Sequence, residues 1–561
     1  MPKRILTFLN KEFNGINEAA LLLGGFAFIS QILGLIRDRM LASSIGPGRI
    51  LDIYYAAFRV PDFLYISIAS LASVTVLLPF LMDRIKKDDN SRKAHEFLNN
   101  VFSAYMLFMM VISFVVAIFM PYIAHYIAPG FNSMDIASLV LTSRIMLLSP
   151  IFIGLSNLIG SVTQLFRNFF IFSLSPIFYN LGILTGIIVL YPIFGVYGLA
   201  LGVIFGAVMH LMVQVPTVLK YKLFPKFIPK INWREIFGVM KLSLPRTLAL
   251  SCNSLALLVI IAMASTLKTG SISLFTFSFN LQSVPVGIIG ISYSVAAFPV
   301  LARSFSLKEM DKFVEHIIGA AKQIIFWSLP VIALIIVLRA QIVRVILGSG
   351  TFSWADTRLT AAASALFIIS LVTQSLVLLF VRGYYAAART KTPLFVNMFS
   401  SFLVIIFTYT FLHIFRTYPY TLSILESILR VSSVPGTIML ALPLAYMLGS
   451  LINFFLIWSM FKKDFLKEKG TMLFKTFFES LLGAITMGLF SYISLNFFSN
   501  IFNLNTFLGI FLQGFISGVI GISAGVFVLY LFKNKELLDI VKVLSHKLSD
   551  KNIIAPEQGE L

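Results

Sequence analysis

The chain has 561 residues, of which 58% are hydrophobic and 12% are charged, and its mean hydropathy is +0.91. Soluble globular domains carry roughly 25% charged residues, so this composition excludes that class and indicates a membrane protein with many spans. The net charge of +20 is typical of basic loops on one side of a membrane, and we expect no nucleic-acid partner. The single cysteine, Cys252, excludes an internal disulfide and a cysteine-based zinc site.

Apolar blocks of helical length alternate with short polar loops along the chain. A helix needs about 20 apolar residues to span a bilayer, and the alternating segments of about 10 residues that form membrane barrels are missing from the pattern. The blocks predict an all-α polytopic membrane protein with about fourteen membrane helices, at 19–45, 52–82, 97–119, 138–165, 171–190, 196–219, 236–267, 273–302, 314–338, 357–387, 393–414, 438–461, 473–497 and 507–532.

The distribution of lysine and arginine predicts the orientation. Five basic residues lie between positions 84 and 93, after the second predicted helix, whereas residues 120–137 after the third contain none. Basic residues collect in cytoplasmic loops. An alternation of this kind predicts an even number of spans with both termini in the cytoplasm.

Charged residues interrupt the first two apolar blocks. A charge in hydrocarbon costs about 2.5–3.5 kcal/mol on insertion scales, so such residues usually pair or bind something. On a regular helix Gln31 and Asp38 share one face, while Arg37 points elsewhere. Asp52, Tyr55 and Arg59 follow one stripe of the next block. Two interpretations stay open: an anion-binding site, and a structural network of the residues Asp38, Arg39 and Asp62, the last of which is spaced to pair with Arg59.

An ordered set of motifs resembles the MurJ (MviN-type) lipid II flippases of the MOP exporter superfamily. The set begins with Leu-Gly-Leu-Ile-Arg-Asp at 33–38, Asp52, and Ala-Phe-Arg-Val-Pro-Asp at 57–62. Similar segments follow in the family's order over most of the chain, at Ala-Pro-Gly-Phe 128–131, Ser175-Pro176 with Asn180, residues 350–360 and residues 382–393.

The resemblance implies an architecture and an activity. It implies two six-helix lobes in a V shape, at 1–219 and 236–461, joined by a cytoplasmic linker at 220–235. Helices 13 and 14, within 462–534, would form a groove for a lipid tail, and 535–561 would be a cytoplasmic tail, amphipathic and then disordered. A protein of this family moves lipid II, an undecaprenyl-pyrophosphate-linked peptidoglycan precursor, from the inner to the outer leaflet of the bacterial cytoplasmic membrane by alternating access.

The sequence also departs from the family pattern, because several expected cavity charges are replaced by Gln31, Tyr65, Ser70 and Asn280. A pyrophosphate favours convergent guanidinium groups. The resemblance therefore predicts that Arg37 and Arg59 contact the headgroup, that Asp52 gates or pairs at the outer side, and that Gln31 and Asn280 supply neutral hydrogen bonds. Secondary candidates are Asp38, Arg39, Asp62, Arg144 and Arg382.

Other functions remain alternatives: a MOP-type exporter of polysaccharide-linked lipids or amphipathic drugs, and a transport-inactive scaffold for cell-wall enzymes. We expect no enzymatic activity, since the six histidines are scattered without shared spacing, and no metal or cofactor. The expected partners are the lipid-linked precursor, membrane lipids and, as a further candidate, cell-wall synthesis enzymes. The energy source is open between membrane potential and a monovalent cation. Helices 7 and 11 lack an acidic residue, so a carboxylate-based sodium site is not expected there.

Overall fold

The computed structural model describes residues 16–68, 74–86, 92–166, 168–466, 472–539 and 541–542, and the regular secondary structure of these residues is entirely helical. The first half of the chain contains α1 (Ile16–Ser44), α2 (Arg49–Ala57), α3 (Arg59–Ser67), α4 (Val74–Lys86), α5 (Arg92–Ile127), α6 (Ser133–Met146), α7 (Ser149–Leu165), α8 (Phe169–Thr185), α9 (Tyr191–Phe194), α10 (Val196–Met212), α11 (Val215–Lys220) and α12 (Trp233–Ser265).

The second half contains α13 (Ser271–Pro285), α14 (Ser292–Ser306), α15 (Met310–Leu347), α16 (Trp354–Ile369), α17 (Leu371–Ala386), α18 (Lys391–Thr417), α19 (Pro419–Leu429), α20 (Ala441–Phe461), α21 (Met472–Phe498) and α22 (Phe507–Leu531). A π-helical segment, Gly186–Leu190, joins α8 to α9, and another, Val286–Ile291, joins α13 to α14. A third, Lys462–Leu466, follows α20. The predicted all-α membrane fold is confirmed, and helix occupies each of the fourteen predicted ranges.

At least four of the predicted helices are interrupted, one of them between α16 and α17, and proline explains the position of three breaks. The breaks follow Ala57, Met146 and Met212. Each of these residues lies four positions before a proline, at 61, 150 and 216. Proline has no N–H to donate to the carbonyl four residues earlier, and its ring clashes with that carbonyl. The helix therefore ends at the residue whose carbonyl loses its partner.

Within the described residues, ten helices are long and apolar enough to cross a membrane. An eleventh crossing is obtained if α16 and α17, which meet at an angle of 44°, form one broken span. The chain is thus a multi-pass membrane protein. Fourteen crossings, and the cytoplasmic location of both termini, stay predictions.

The described residues divide into two compact units. The first comprises those within Met1–Leu281, Ile346–Ser364 and Thr390–Asn453, and the second comprises those within Gln282–Val345, Ala365–Arg389 and Phe454–Leu561. This partition groups helices by contact and not by repeat. The predicted lobe boundaries at 219 and 236 therefore stay a prediction.

In the first unit, α8 and the π-helical segment that follows it cross α10 through paired glycines. A Cβ added to Gly182 would lie 2.2 Å from the Cα of Gly206, and one added to Gly186 would lie 2.5 Å from the Cα of Gly202. Small residues let helix backbones approach closely where there is no hydrophobic force to drive helices together in lipid. This crossing holds α8, which carries Asn180, against the bundle.

The segment between α11 and α12 is fastened along one face of α5. Asn99 Oδ1 accepts from the Lys226 amide at 2.6 Å, and Ser103 Oγ accepts from the Ile228 amide at 2.7 Å. Asn100 exchanges two bonds with the backbone of Asn232, at 2.8 and 3.2 Å. These side chains lie on one face of α5. They accept hydrogen bonds from backbone amides of a non-helical segment, which has no secondary-structure partners for those amides.

In the second unit, α21 and α22 pack closely, and the chain after α22 is docked on them. Asn534 donates to Glu479 at 2.7 Å, and Thr476 donates to the buried Glu536 at 3.1 Å. Leu537 packs in a buried cluster with Phe326, Met487 and Leu529. The predicted amphipathic tail therefore begins as part of the folded unit, and most of the remainder, at 540 and 543–561, lies outside the described residues.

Candidate functional site

Arg37 and Asp38 form an ion pair on α1. Arg37 Nε and Nη2 donate to Asp38 Oδ1 at 3.0 and 2.8 Å. A regular helix places the two Cβ atoms on different faces, but the long guanidinium side chain folds back onto its neighbour. The expectation that Arg37 points away from Asp38 is therefore wrong, because it considered backbone direction and not side-chain reach.

Two asparagines extend this pair into a polar cluster, which we call the Arg37 cluster: Arg37, Asp38, Asn180 and Asn280. Asn280 on α13 donates to Asp38 Oδ2 at 2.9 Å, so both carboxylate oxygens have a donor. Asn180 on α8 accepts from Arg37 Nη1 at 3.5 Å. Asn180 in turn donates to the Ser30 hydroxyl at 3.2 Å, which fixes its amide so that the oxygen faces the guanidinium.

The cation and not the anion of this cluster is accessible. The Arg37 side chain is 24% exposed and that of Asp38 only 4%. The longest contact of the guanidinium is the one to Asn180, and a stronger acceptor could replace it. A phosphate or carboxylate group with two oxygens matches the fork of donors that a guanidinium presents. The cluster is therefore suited to an anion.

Asp52 on α2 binds the N-terminal end of α13. Its carboxylate accepts from the amide of Gly270 at 2.6 Å, the amide of Ser273 at 2.9 Å and the hydroxyl of Ser273 at 2.6 Å. The first amides of a helix lack intrahelical partners and carry partial positive charge. Asp52 thus caps a helix that lies more than 200 residues further along the chain. We call this contact the α13 latch.

The α13 latch and the Arg37 cluster use the same face of α13. Ser273 and Asn280 are seven residues apart, which is almost two full helical turns. At 1.5 Å rise per residue they stand about 10 Å apart along the axis. Helix α13 is consequently held to α1 and α2 at two heights by buried polar contacts.

A second set of contacts surrounds the latch. Arg49 pairs with Asp135 at 3.1 Å, donates to Thr269 at 3.2 Å and lies over the ring of Phe131 at 4.7 Å. The amide of Thr351 donates to the carbonyl of Ser43 at 3.1 Å. These bonds join the ends of α1 and α2 to segments that enter α6, α13 and α16, so this end of the first unit is closed.

The stripe of α2 and α3 that contains Asp52 continues through Tyr55 and Arg59. The Tyr55 hydroxyl is buried and has no hydrogen-bond partner within the described part of the chain, although its ring packs 5.8 Å from Phe277. Arg59 Nε is likewise buried without a partner there. Asp62 lines a cavity, and Gln31 on α1 is half-buried.

The remaining candidates have other surroundings. Arg39 donates to the carbonyl of Ile346 at 3.3 Å. Arg144 is exposed and donates to the carbonyl of Ala117 on α5 at 2.8 Å, which joins α6 to α5. Arg382 is half-buried on α17, in the second unit.

Sequence reasoning missed the partners that complete the site. Ser273 and Gly270 carry no charge and sit at a helix start, so the only available signal was a Gly-Ser pair before an apolar helix. Asn180 was noted as part of a family motif, without a partner. Tyr55 was placed on the correct stripe, without a role.

Comparisons with known proteins agree with this architecture. A sequence model of the family described as "Lipid II flippase MurJ" matches residues 41–513. The "Probable lipid II flippase MurJ" of Buchnera aphidicola subsp. Acyrthosiphon pisum is 26% identical over 381 residues, which are 67% of this chain and 74% of the relative. The protein of the same description from Haemophilus influenzae is 26% identical over 409 residues, 68% of this chain and 79% of the relative.

Solved structures show the same fold. A structure titled "Lipid II flippase MurJ, inward closed conformation" has a TM-score of 0.72 at 21% identity and covers 93% of this chain and 100% of that chain. An inward-facing multidrug resistance MATE family transporter of the MOP superfamily has a TM-score of 0.61 at 17% identity, covering 79% of this chain and 99% of its own. At these identities the likeness concerns the fold alone.

Proposed function

We propose that this chain, which belongs to the lipid II flippase MurJ family, moves lipid II across the bacterial cytoplasmic membrane. The family membership supplies the substrate class. The chain's own residues supply a place for the charged headgroup. Both termini would lie in the cytoplasm, so that the end of the first unit that carries the α13 latch would face the outer side.

The observation that carries this proposal is the accessible guanidinium of Arg37 beside a satisfied carboxylate. Asp38 accepts from both Arg37 and Asn280. If Arg37 turns toward a pyrophosphate, Asn280 still supplies Asp38 with a donor, and the buried charge does not lose every partner. Leaving a buried charge unpaired is strongly destabilising, so Asn280 lowers the cost of releasing Arg37 to the substrate.

The same observation favours an anionic lipid over a cationic drug. Within the Arg37 cluster the group offered to a ligand is the cation, since the carboxylate of Asp38 is 4% exposed and bonded to Arg37 and Asn280. A transport-inactive scaffold would not need the Arg37 side chain at all. The three functions therefore differ in what they require of this one residue.

Transport by alternating access requires the two ends of the site to open in turn. In the structure the end that holds the α13 latch is closed by the three bonds to Asp52. Release of Asp52 would free the N-terminal end of α13 and expose the polar face that Ser273 and Asn280 share. Asp52 would then be the gate residue and Arg37 the headgroup ligand.

Binding of purified protein to lipid II in nanodiscs tests the proposal. Hydrogen bonds to charged groups contribute about 1.5–3 kcal/mol, so we expect Arg37→Ala to weaken binding at least about tenfold. Arg37→Lys keeps the charge without the bidentate geometry, so its affinity for lipid II should lie between those of the wild type and Arg37→Ala. Arg92→Ala is the matched control, since Arg92 is exposed and, among the residues that the structure describes, pairs with Glu96 one turn away. Equal binding by wild type and Arg37→Ala would contradict the proposal.

A further inference from the structure

A cavity of about 260 Å³ lies inside the first unit, separate from the residues of the Arg37 cluster. Helices α3, α6, α7, α8 and α10 contribute to its wall, which is largely apolar, with Phe58, Pro61, Met146, Ile153, Pro176 and Val203. A water molecule occupies about 30 Å³ in the liquid, so the cavity has room for several. Its polar lining includes Asp62, Tyr65, Tyr179 and His210.

Asp62 lines this cavity, and its side chain is exposed. None of the described residues donates a hydrogen bond to it or forms an ion pair with it. The pairing with Arg59 that their spacing allows is not made, and Arg59 Nε is itself buried without a partner. An ionised carboxylate among apolar walls is costly unless something neutralises or solvates it.

His210 presents a second free acceptor. Gln214 Nε2 donates to the Ser156 hydroxyl oxygen at 2.5 Å, and that hydroxyl gives its only hydrogen to the His210 carbonyl at 3.0 Å. His210 Nδ1 lies 2.7 Å from the same oxygen, and a hydrogen on Nδ1 is the arrangement in which all three contacts form at once. In a neutral imidazole with the hydrogen on Nδ1, the lone pair is on Nε2, and this nitrogen remains available on the ring that lines the cavity.

The two phenols complete the surroundings. Asn157 donates to the Tyr65 hydroxyl oxygen at 2.9 Å, so the Tyr65 hydrogen is free to be donated elsewhere. The Tyr179 ring meets the His210 ring edge-on at 6.3 Å. The cavity thus combines two proton acceptors, two hydroxyls and space for water.

We propose that this cavity is a proton-binding site, with Asp62 as the primary acceptor and His210 Nε2 as the secondary one. A hydronium ion transfers its proton to a carboxylate oxygen of Asp62 and leaves as water, which converts a charged group into a neutral one. The ionisable and charged groups around Asp62 are Arg59 on the same helix, Tyr54 on α2, Tyr65, Tyr179, His210 and, beyond Tyr179, Arg37. Protonation removes a negative charge from the neighbourhood of Arg37, so proton binding and anion binding would favour each other.

Infrared difference spectroscopy of the full-length protein in nanodiscs, between acidic and alkaline buffer, tests this site without any lipid substrate. Each of the carboxyl groups that binds a proton as the pH falls adds a C=O band, so the Asp62 band is the component of the wild-type spectrum that is missing from the spectrum of Asp62→Asn. Asp62→Asn should remove the band, and Asp62→Glu should shift its frequency. Asp356→Asn should leave it unchanged, because Asp356 binds Ser353 at the start of α16, away from the cavity.

His210→Gln supplies the second variant, since it keeps the polar side chain and removes the acceptor nitrogen. It should change the pH at which the Asp62 band appears without removing the band. The proposal is overturned if the wild type shows no such band, or if Asp62→Asn retains it. It is also overturned if sodium, and not pH, changes the spectrum in an Asp62-dependent way. None of these results depends on whether the chain transports lipid II.

Discussion

The side chain of Asn280 donates to Oδ2 of Asp38 at 2.9 Å across 242 positions of sequence. It stands where the family resemblance leads one to expect an arginine, and it supplies a neutral donor in place of a second positive charge. Asp38 is thereby shared between one cation and one amide. The balance leaves Arg37 as the guanidinium of this cluster that is free to exchange partners.

Substitutions at Asn280 should show how much its hydrogen bond to Asp38, as distinct from its side-chain volume, contributes to stability. Asn280→Leu has nearly the same shape but leaves Asp38 Oδ2 without its donor, which should cost about 1–3 kcal/mol. Asn280→Asp places a second carboxylate beside Asp38 and should be worse. We expect the thermal unfolding midpoint to be highest for the wild type, lower for Asn280→Leu and lowest for Asn280→Asp. An Asn280→Leu protein as stable as the wild type would show that the bond is unimportant.

A crosslink between positions 52 and 273 should hold the α13 latch closed. In a Cys252→Ser background, which removes the only native cysteine, Asp52→Cys and Ser273→Cys place two thiols where the carboxylate and hydroxyl now lie 2.6 Å apart. We expect oxidation or a short thiol crosslinker to join them and stop transport. Reduction should restore whatever activity the uncrosslinked double variant has.

Each single-cysteine variant, treated in the same way, is the control for oxidation itself. A double variant that is fully crosslinked, as judged by mass spectrometry, and still transports at its reduced rate would rule out opening at this contact as part of the cycle.

The glycine crossing of α8 and α10 should not tolerate even one methyl group. Gly182→Ala would place a Cβ 2.2 Å from the Gly206 Cα, and overpacking of this kind usually costs about 1–3 kcal/mol. Gly238→Ala on α12 is the matched control, since nothing lies within 4 Å of its new Cβ. We expect a lower unfolding midpoint for Gly182→Ala only. Equal midpoints for both variants would show that the helices are not held this closely.

Attachment of the segment between α11 and α12 to α5, which we call the α5 strap, should depend most on Asn100. This buried residue exchanges two bonds with Asn232 and donates to Glu235 at 2.8 Å, whereas Asn99 receives a single exposed bond from Lys226. Since unpaired buried groups cost about 1–3 kcal/mol each, Asn100→Leu should lower the unfolding midpoint far more than Asn99→Leu. Proteolysis between α11 and α12 should also accelerate in Asn100→Leu alone. Similar behaviour of both variants would contradict this view of the α5 strap.

The sequence alone predicts the helices well, because an apolar run of about 20 residues has one physical solution in a bilayer. The sequence also explains the helix breaks after Ala57, Met146 and Met212, since each of these residues precedes a proline by four positions. The prediction joined those segments because hydropathy does not fall at the breaks. Proline alone does not predict them, since the helices that contain Pro121, Pro176 and Pro330 continue without a break.

The site was only partly predictable. Charges within apolar blocks identified Arg37, Asp52 and Arg59, because their cost in lipid demands an explanation. The family resemblance identified Asn280 as a hydrogen-bonding residue, but its bond to Asp38 was not predictable from pattern, and neither was Ser273 as the partner of Asp52, because packing brings these distant segments together. The direction of Arg37 was misjudged, because helical arithmetic places Cβ atoms and not the ends of long side chains.

The most direct test of the central claim is growth of a bacterium whose own MurJ is depleted, with this chain supplied from a plasmid. We expect the wild type to restore growth, Arg92→Ala to match it, and Arg37→Ala to fail at equal membrane expression. Failure of the wild type despite good membrane expression would contradict the assignment to lipid II. Equal rescue by wild type and Arg37→Ala would contradict the role of Arg37 in binding the headgroup.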